Sequence, residues 1–291
     1  MTFRIFFVLY LVGVHVSATA QPGTEIYLFD LTIKRGDVTI QNPKNITNRK
    51  GYDNQPFFHP DKNILYFVSA NEEGRTDIIE YDYLSGTNKK FTQTHDREYS
   101  PTVTPDKQFI SCILQRDGGQ QDLVKYPITG GEPSVIIDDL VVGYHAWADI
   151  NKVVVFTLPQ PFKLQLIDVS TKSYSVIAEQ IGRSLHKIPG QKAISFLQKK
   201  TEDEWTVNRL DTDTKAISML TKSLPGGERH MAWTPDGKII TSDDQKLYFF
   251  DPGKSKTWGQ VALKSDVLLS GFSRMAISAD GKTLALVVSE P

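Results

Sequence analysis

The side chains best suited to chemistry occur in six short groups along the sequence. Each group lies four to eight residues before a recurring turn signal and contains arginine, histidine, tyrosine, asparagine or a carboxylate. Arginines that converge on one opening can hold a carboxylate or a phosphate through two parallel hydrogen bonds. The candidate binding residues, in chain order, are Asp53, Asn54, Arg97, Glu98, Tyr99, Tyr144, His145, Arg183, Glu228, Arg229, His230 and Arg274.

The charges of these groups are unevenly distributed. The last three groups each contribute an arginine, and one carboxylate lies beside them in the sequence: Arg183, Arg229, Arg274 and Glu228. The first two groups are mixed and more acidic, with Asp53, Arg97 and Glu98. We therefore expect a basic arc that faces a more acidic arc. The alternative is that the arginines pair with Asp53, Glu98 and Glu228 and only satisfy the wall of a channel.

The same groups also allow an enzymatic interpretation. Propeller enzymes such as lyases, lactonases or glycosidases need acid–base catalysis and stabilisation of an anion. The candidates for these roles are Tyr144, His145, Arg229 and His230. Familiar signatures are missing, because the sequence has no G-x-S-x-G, no H-E-x-x-H and no Cys/His spacing typical of zinc. We therefore predict no catalytic residues, no metal site and no cofactor, and the enzyme stays as an alternative.

The turn signal that follows each group recurs along the chain. Pro-Asp-Gly or a related turn sequence has its anchor at positions 60, 105, 149, 189, 235 and 279, which are 40 to 46 residues apart. A repeat of this length indicates a solenoid, a propeller or an array. Alternating apolar residues after each turn predict a strand with one buried face. Cys112 occupies one of these positions, so we expect a small buried hydrophobic residue and not a reactive thiol.

Further apolar runs complete each repeat, so that each unit is predicted to have four antiparallel strands. One run is missing after residue 286 and occurs instead at residues 26–34, near the other end. Strands from the two ends can complete one unit only if the repeats close into a ring. We therefore predict an all-β, six-bladed β-propeller whose N-terminal strands complete the C-terminal blade. An open β-solenoid or two stacked sandwiches would leave the displaced run unexplained.

The repeat resembles the WD40-like PD40 repeat of TolB-type propellers. The resemblance is carried by ITNRKGYDNQPFFHPDKNILYFVS (46–69), REYSPTVTPD (97–106), ITGGEP (128–133) and HMAWTPDGK (230–238), and it extends over essentially all of the chain after residue 20. It implies a protein-binding platform in the periplasm, as in the Tol–Pal envelope system. Related propellers gate a hydrolase domain in the prolyl-oligopeptidase and dipeptidyl-peptidase families. We expect a propeller without the TolB N-terminal domain or a peptidase domain.

Residues 1–20 are predicted to be a cleaved signal peptide. Arg4 precedes an apolar run at residues 5–16, and Ala18 and Ala20 fit the cleavage pattern. The run is short for a membrane span, although a retained N-terminal anchor is the alternative. We therefore expect residues 21–291 to form one propeller domain, periplasmic or secreted, monomeric and without a membrane span.

Three functions stay open at this point. The first is a non-catalytic platform that binds an envelope protein or peptide at the mouth of the central channel. The second is the enzyme described above, and the third is a sensor subunit for a small anionic ligand. The formal net charge of -1 gives no indication of a nucleic acid partner.

Overall fold

The structure is a computed structural model that describes residues 22–34 and 36–290. Every helix or strand assigned in this part of the chain is a β-strand, and 25 strands are present there. The predicted signal peptide at residues 1–20 lies outside the described residues. Within the described ranges, no helix is long and apolar enough to cross a membrane.

The first half of the chain contains two N-terminal strands and three complete blades. The N-terminal strands are β1 (Thr24–Lys34) and β2 (Asp37–Asn45). Blade 1 consists of β3 (Asp53–Phe58), β4 (Ile64–Ala70), β5 (Thr76–Asp82) and β6 (Thr87–Lys90). Blade 2 consists of β7 (Arg97–Val103), β8 (Phe109–Gln115), β9 (Gln121–Pro127) and β10 (Ser134–Ile137). Blade 3 consists of β11 (Val141–Trp147), β12 (Lys152–Leu158), β13 (Lys163–Asp168) and β14 (Ser173–Glu179).

The second half contains two more blades and the C-terminal strands. Blade 4 consists of β15 (Ile181–Lys187), β16 (Ala193–Lys199), β17 (Trp205–Asp211) and β18 (Ile217–Lys222). Blade 5 consists of β19 (Met231–Trp233), β20 (Ile239–Ser242), β21 (Leu247–Phe250) and β22 (Gly259–Gln260). The last strands are β23 (Ala262–Lys264), β24 (Met275–Ile277) and β25 (Thr283–Ser289).

Strands from both ends of the chain form the sixth blade, which confirms the predicted six-bladed propeller. Its strand order is β23-β2-β1-β25-β24, and β1 pairs antiparallel with β25. The sixth blade also contains a fifth strand, because β23 pairs in parallel with β2. Only Val261 separates β22 from β23, and its side chain is buried in the cluster between blades 5 and 6. The chain therefore passes directly from the edge of blade 5 to the edge of blade 6.

Six clusters of buried apolar side chains lie between neighbouring blades of the described chain. In β12, Val153 and Val155 belong to the cluster shared with blade 2, whereas Val154 and Phe156 belong to the cluster shared with blade 4. The prediction of one buried face is therefore wrong for this strand, because each blade is covered by a neighbour on both sides. Cys112 is fully buried between blades 1 and 2 as expected, and burial raises the pKa of its thiol.

Side-chain hydrogen bonds hold the repeated turn. In blade 2, Thr104 Oγ1 donates to Asp106 Oδ1 over 2.6 Å and accepts from the backbone N–H of Phe109 over 3.1 Å. A hydroxyl and an aspartate two residues later form the same contact in blades 5 and 6, as Thr234–Asp236 and Ser278–Asp280. The repeated aspartates therefore shape turns, as the sequence pattern indicates.

A tryptophan links two pairs of blades. Trp147 Nε1 of blade 3 donates to Ser111 Oγ of blade 2 over 2.9 Å. Trp233 Nε1 of blade 5 donates to Ser195 Oγ of blade 4 over 2.8 Å. Both tryptophans lie two residues before a turn anchor, and both serines lie six residues after the preceding anchor. These equivalent positions bring the innermost strand of one blade against the second strand of the blade before it.

Candidate functional site

The innermost strands of the six blades surround a central channel with a cavity volume of about 420 Å³. These strands are β3, β7, β11, β15, β19 and β24. We call the end at which they begin the mouth. One residue per blade, five positions before the turn anchor, lines the channel there. This mouth ring consists of Gln55, Ser100, Tyr144, Ser184, His230 and Arg274.

Irregular pairing in the inner strands produces this arrangement. The register between first and second strands shifts in blades 1 to 4, and the shift falls at or beside the mouth-ring residue. Gln55 and Ser100 have φ angles of 56° and 55°, and Gln55 Oε1 accepts from Ser100 N over 2.5 Å. Gly143 directly precedes the ring residue in blade 3, where a Cβ would lie 3.1 Å from Phe156, and Gly182 lies two residues before the ring residue in blade 4. Such bulges redirect side chains, here into the mouth of the channel.

Among the residues that the structure describes, the wall of the channel contains cations and no carboxylate. None of the residues that line it in the described chain is an aspartate or a glutamate. Arg183 and Arg274 lie at the mouth, and Lys107 and Lys187 lie at the turn end. Lys107 Nζ pairs with Asp61 Oδ2 over 2.5 Å, so part of the charge at the turn end is neutralised. The mouth is therefore the end with the stronger preference for an anion.

Arg274 reaches across the mouth from blade 6. Its Nη2 donates to Tyr144 OH of blade 3 over 2.7 Å, and its Nη1 donates to Asn54 Oδ1 of blade 1 over 3.2 Å. The guanidinium carbon lies 5.4 Å from the centre of the Tyr144 ring, within cation–π distance. Blades 3 and 6 are opposite each other in the ring, so this side chain narrows the entrance.

The guanidinium of Arg183, in contrast, has no hydrogen-bond partner in the described part of the chain. Its side chain is exposed, and no ion pair or side-chain hydrogen bond joins its guanidinium to another described residue. Glu228 lies close by, but its Oε1 accepts from the backbone N–H of Arg183. In the alternative interpretation, the arginines pair with Asp53, Glu98 and Glu228. The described contacts show no such pair for Arg183 or Arg274.

Several predicted residues lie outside the channel wall. Asp53 is buried and pairs with Arg49 over 2.9 Å. Arg97 pairs with Asp117 over 3.1 Å. Arg229 is the third arginine of the expected basic arc. Its Nη1 pairs with Asp244 Oδ2 over 3.0 Å, and its Nη2 donates to Pro225 O over 2.8 Å. These ion pairs hold the three groups away from the channel.

Glu98 is fully buried between blades 1 and 2. Its carboxylate accepts from Thr94 Oγ1 over 2.5 Å, from Tyr126 OH over 3.1 Å and from Thr92 Oγ1 over 3.2 Å. Burial is the largest cause that raises the pKa of this carboxyl group from 4.5 to about 7, while the three hydroxyl donors oppose the rise. Glu98 is therefore an interior group and does not line the channel.

The histidines near the channel are expected to be neutral at pH 7, because burial lowers the pKa of each. Burial lowers the pKa of His145 to about 3, and His145 Nε2 shares a hydrogen bond of 2.8 Å with Ser111 Oγ. Burial, with the nearby Arg274, lowers the pKa of His230 well below its ordinary value. His186, which sequence reasoning missed, lines the channel three residues before its anchor, and burial lowers its pKa to about 4. No hydrogen bond joins the four residues of the enzymatic interpretation to one another. These residues are Tyr144, His145, Arg229 and His230.

A second cavity opens beside the mouth, between blades 1, 2 and 3. This side pocket has a volume of about 310 Å³ and shares Gln55, Tyr144 and Arg183 with the channel. The rest of its wall is largely aromatic or aliphatic: Tyr52, Tyr99, Ile113, Phe156, Leu158 and Phe162. Of these residues only Tyr99 was predicted from the sequence. The others lie on second strands and loops, where the repeat pattern indicates core or turn.

The structure contains no metal-binding cluster that can be recognised in the described chain. No group of three or more histidine, cysteine, aspartate or glutamate side chains with suitable geometry occurs within residues 22–34 and 36–290.

Other proteins of known structure share this architecture. A protein from Agrobacterium tumefaciens assigned as a TolB gives a TM-score of 0.71 at 16% sequence identity, with 93% of this chain and 99% of that chain covered. TolB from Acinetobacter baumannii gives a TM-score of 0.58 at 14% identity, with 92% of this chain and 64% of that chain covered. This chain has the fold of the TolB propellers.

The same fold also occurs in an enzyme. An oligogalacturonate lyase in complex with manganese gives a TM-score of 0.59 at 16% identity, with 88% of this chain and 83% of that chain covered. No protein-family model matches the sequence, and no curated protein does so either. At these identities the likenesses show a fold that serves both TolB proteins and an enzyme, and the function has to be argued from the site.

Proposed function

We propose that this chain is an exported, non-catalytic propeller that binds a protein or peptide of the cell envelope at the mouth of its channel. The observation that carries the proposal is the channel wall, which has arginines at the mouth and no carboxylate among its described residues. An anionic group of a partner would meet Arg183, whose guanidinium has no ion-pair partner among the described residues, beside the entrance that Arg274 narrows. The TolB-like fold supports this choice, since the resemblance seen in the sequence implies an envelope protein with a protein partner.

The same resemblance and the N-terminal sequence also support a proposal about the location. We propose that residues 1–20 direct export and are removed, and that residues 21–291 act as a single monomeric domain in the periplasm or outside the cell. The described chain has no helix that could span a membrane.

A small anion is the second candidate ligand. A channel of about 420 Å³ is within the size range of small-molecule sites, and the cationic wall favours an anion. The enzymatic alternative has less support, because His145 bonds to Ser111 and Arg229 pairs with Asp244. Tyr144, His145 and His230 line the channel, but His145 is held by Ser111, and Arg229 is not among the described residues of the wall.

The proposal is tested by affinity capture from detergent-solubilised envelope. The unchanged mature protein is compared with an Arg183→Gln/Arg274→Gln double variant, which removes the two arginines of the mouth. The matched control is Arg209→Gln/Lys192→Gln, which removes the same charge from blade 4, where these side chains pair with Asp211 and Asp213.

We expect one envelope protein to be captured by the unchanged protein and by the control, and to be lost with the mouth variant. Equal capture by all three proteins would contradict a role for the mouth arginines. If nothing is captured, titration with small carboxylates and phosphate tests the second candidate.

A further inference from the structure

The side pocket and the mouth meet at Arg183, which lines both cavities. Its guanidinium is exposed and has no ion-pair or hydrogen-bond partner in the described chain, as shown above. Tyr144 also lines both cavities, and its hydroxyl is occupied by Arg274 over 2.7 Å. An anion at this junction would therefore bind Arg183 first, since the second arginine of the mouth already has two neutral partners.

The wall of the side pocket is suited to one apolar side chain. Phe156 and Phe162 lie with ring centres 4.7 Å apart, and Tyr144 meets Phe156 edge to face over 5.6 Å. Tyr52 on the other side is buried, and burial raises the pKa of its hydroxyl to about 12, so it stays neutral. A volume of about 310 Å³ accommodates an aromatic or large aliphatic group together with a few backbone atoms.

An unpaired acceptor lies in the same pocket. Gln121 lines the pocket at the start of β9, and its Oε1 is buried without a hydrogen-bond partner among the described residues, so the side-chain amide has to turn toward the pocket before a ligand can reach this atom. A buried acceptor without a donor costs free energy, which a ligand N–H placed within hydrogen-bond distance would recover. The pocket therefore offers one cation, one apolar wall and one acceptor.

We propose that these features form a single site for the C-terminal residue of a peptide chain. Its free carboxylate binds Arg183, its aromatic or large aliphatic side chain enters the side pocket, and its backbone N–H donates to Gln121 Oε1. The inference rests on the proposed function and specifies the part of the partner that is recognised.

A chain end fits this site better than an internal acidic residue. Arg274 crosses the mouth to Asn54 and Tyr144, which narrows the entrance beside Arg183. The backbone of an internal segment would have to enter and leave through this narrowed entrance, whereas the backbone of a C-terminal residue passes through it once. The carboxylate and the side chain of a terminal residue also share one carbon atom, so they can occupy adjoining cavities. The acceptor of Gln121 favours an amino-acid residue over a simple aryl acid, which has no N–H.

The test is isothermal titration of the mature protein with a matched set of ligands. The reference is N-acetyl-Gly-Gly-Gly-Phe with a free carboxylate. The comparisons are its C-terminal amide, the same peptide ending in alanine, and 3-phenylpropionate. Because hydrogen bonds to charged groups are stronger than neutral ones, we expect the amide to bind at least about tenfold more weakly than the free acid. The alanine peptide and 3-phenylpropionate should also bind more weakly than the reference.

Variants then separate the two parts of the site. Arg183→Gln should remove the preference for the free acid over the amide, whereas Arg209→Gln in the same blade should keep that preference. Phe162→Ala should reduce the preference for phenylalanine over alanine. If Phe162→Ala does not fold, Leu158→Ala serves instead, because Leu158 lines the pocket and is already 36% exposed.

The outcomes also separate this inference from the proposed function. Equal binding of the acid and the amide would overturn the inference, and so would binding of 3-phenylpropionate as tight as that of the reference peptide. If no peptide binds while envelope capture still depends on Arg183 and Arg274, the inference fails and the proposed function stands. If both the titration and the capture fail, both proposals are rejected.

Discussion

Replacement of Glu98 by glutamine should change how the stability of the protein depends on pH. Glu98 is fully buried, and no described cation forms an ion pair with it. Burial raises the pKa of its carboxyl group from 4.5 to about 7 against the effect of Thr92, Thr94 and Tyr126. The folded state therefore holds a proton at Glu98 in a pH range where the unfolded chain has lost it.

The sign and the size follow from this difference in pKa. Because the folded pKa is raised, the contribution of Glu98 to the free energy of unfolding is fully present below pH 4.5 and is lost as the pH rises to about 7. Each pKa unit corresponds to about 1.4 kcal/mol, so the rise from 4.5 to about 7 corresponds to a loss of about 3 kcal/mol.

Two histidines with a lowered pKa act in the opposite direction over part of the same range. Burial lowers the pKa of His145 to about 3 and that of His186 to about 4, from an ordinary value of 6.5. Their contribution to stability is present above pH 6.5 and is lost as the pH falls through these folded values. The pH profile of the unchanged protein mixes both effects, and subtraction of the Glu98→Gln profile isolates Glu98.

The assay is urea unfolding of both proteins at pH 4.5, 5.5, 6.5 and 7.5. The stability of the unchanged protein relative to Glu98→Gln should decrease by about 3 kcal/mol across this range. Glu132→Gln, at an exposed position of the same repeat, is the control for loss of a carboxylate. A stability difference that stays constant between pH 4.5 and 7.5 would refute the reasoning, because Glu98 would then titrate alike in the folded and unfolded states.

Two further predictions concern the packing between blades. Trp147→Phe removes the indole donor to Ser111 and should lower the free energy of unfolding by about 1 kcal/mol in urea titrations. The addition of Ser111→Ala should cost less than the sum of the single changes, and full additivity would show that the hydrogen bond does not couple the two blades. Cys112 has no exposed surface, so a thiol reagent should label it at a rate that rises with the unfolded fraction across a urea series. Rapid labelling of the native protein would contradict the burial of this thiol.

The repeat made most of the fold predictable from the sequence. The six turn anchors mark the passage from the first to the second strand of each blade, and the apolar run at residues 26–34 indicates ring closure. The fifth strand of blade 6 was not predictable in this way. It has three residues, Ala262–Lys264, all of them exposed, and it is held by backbone pairing with β2. Backbone pairing of an exposed strand leaves no apolar pattern in the sequence.

The candidate site was predictable as a place and only partly as a set of residues. The segment before each anchor does reach the mouth. However, bulges in the inner strands break the alternation of side chains between the two faces of a strand, so the direction of each side chain cannot be counted from its neighbours. Glu98 and Tyr99 are neighbours in β7, yet Glu98 is buried between blades and Tyr99 lines the side pocket. A period-two pattern cannot show which of two residues beside a bulge points into the channel.

Arg183 and Arg229 show why equivalent positions in a repeat need not share a role. Both lie six residues before their anchors. Arg183 is inside β15, where the register shift between Ile181 and Leu185 directs it to the channel wall. In blade 5 the inner strand begins only at Met231, so Arg229 belongs to the preceding loop and is held there by Asp244. The anion preference of the mouth thus depends on where each inner strand begins, and a substitution that extends β19 toward Arg229 would be expected to change the charge of the channel.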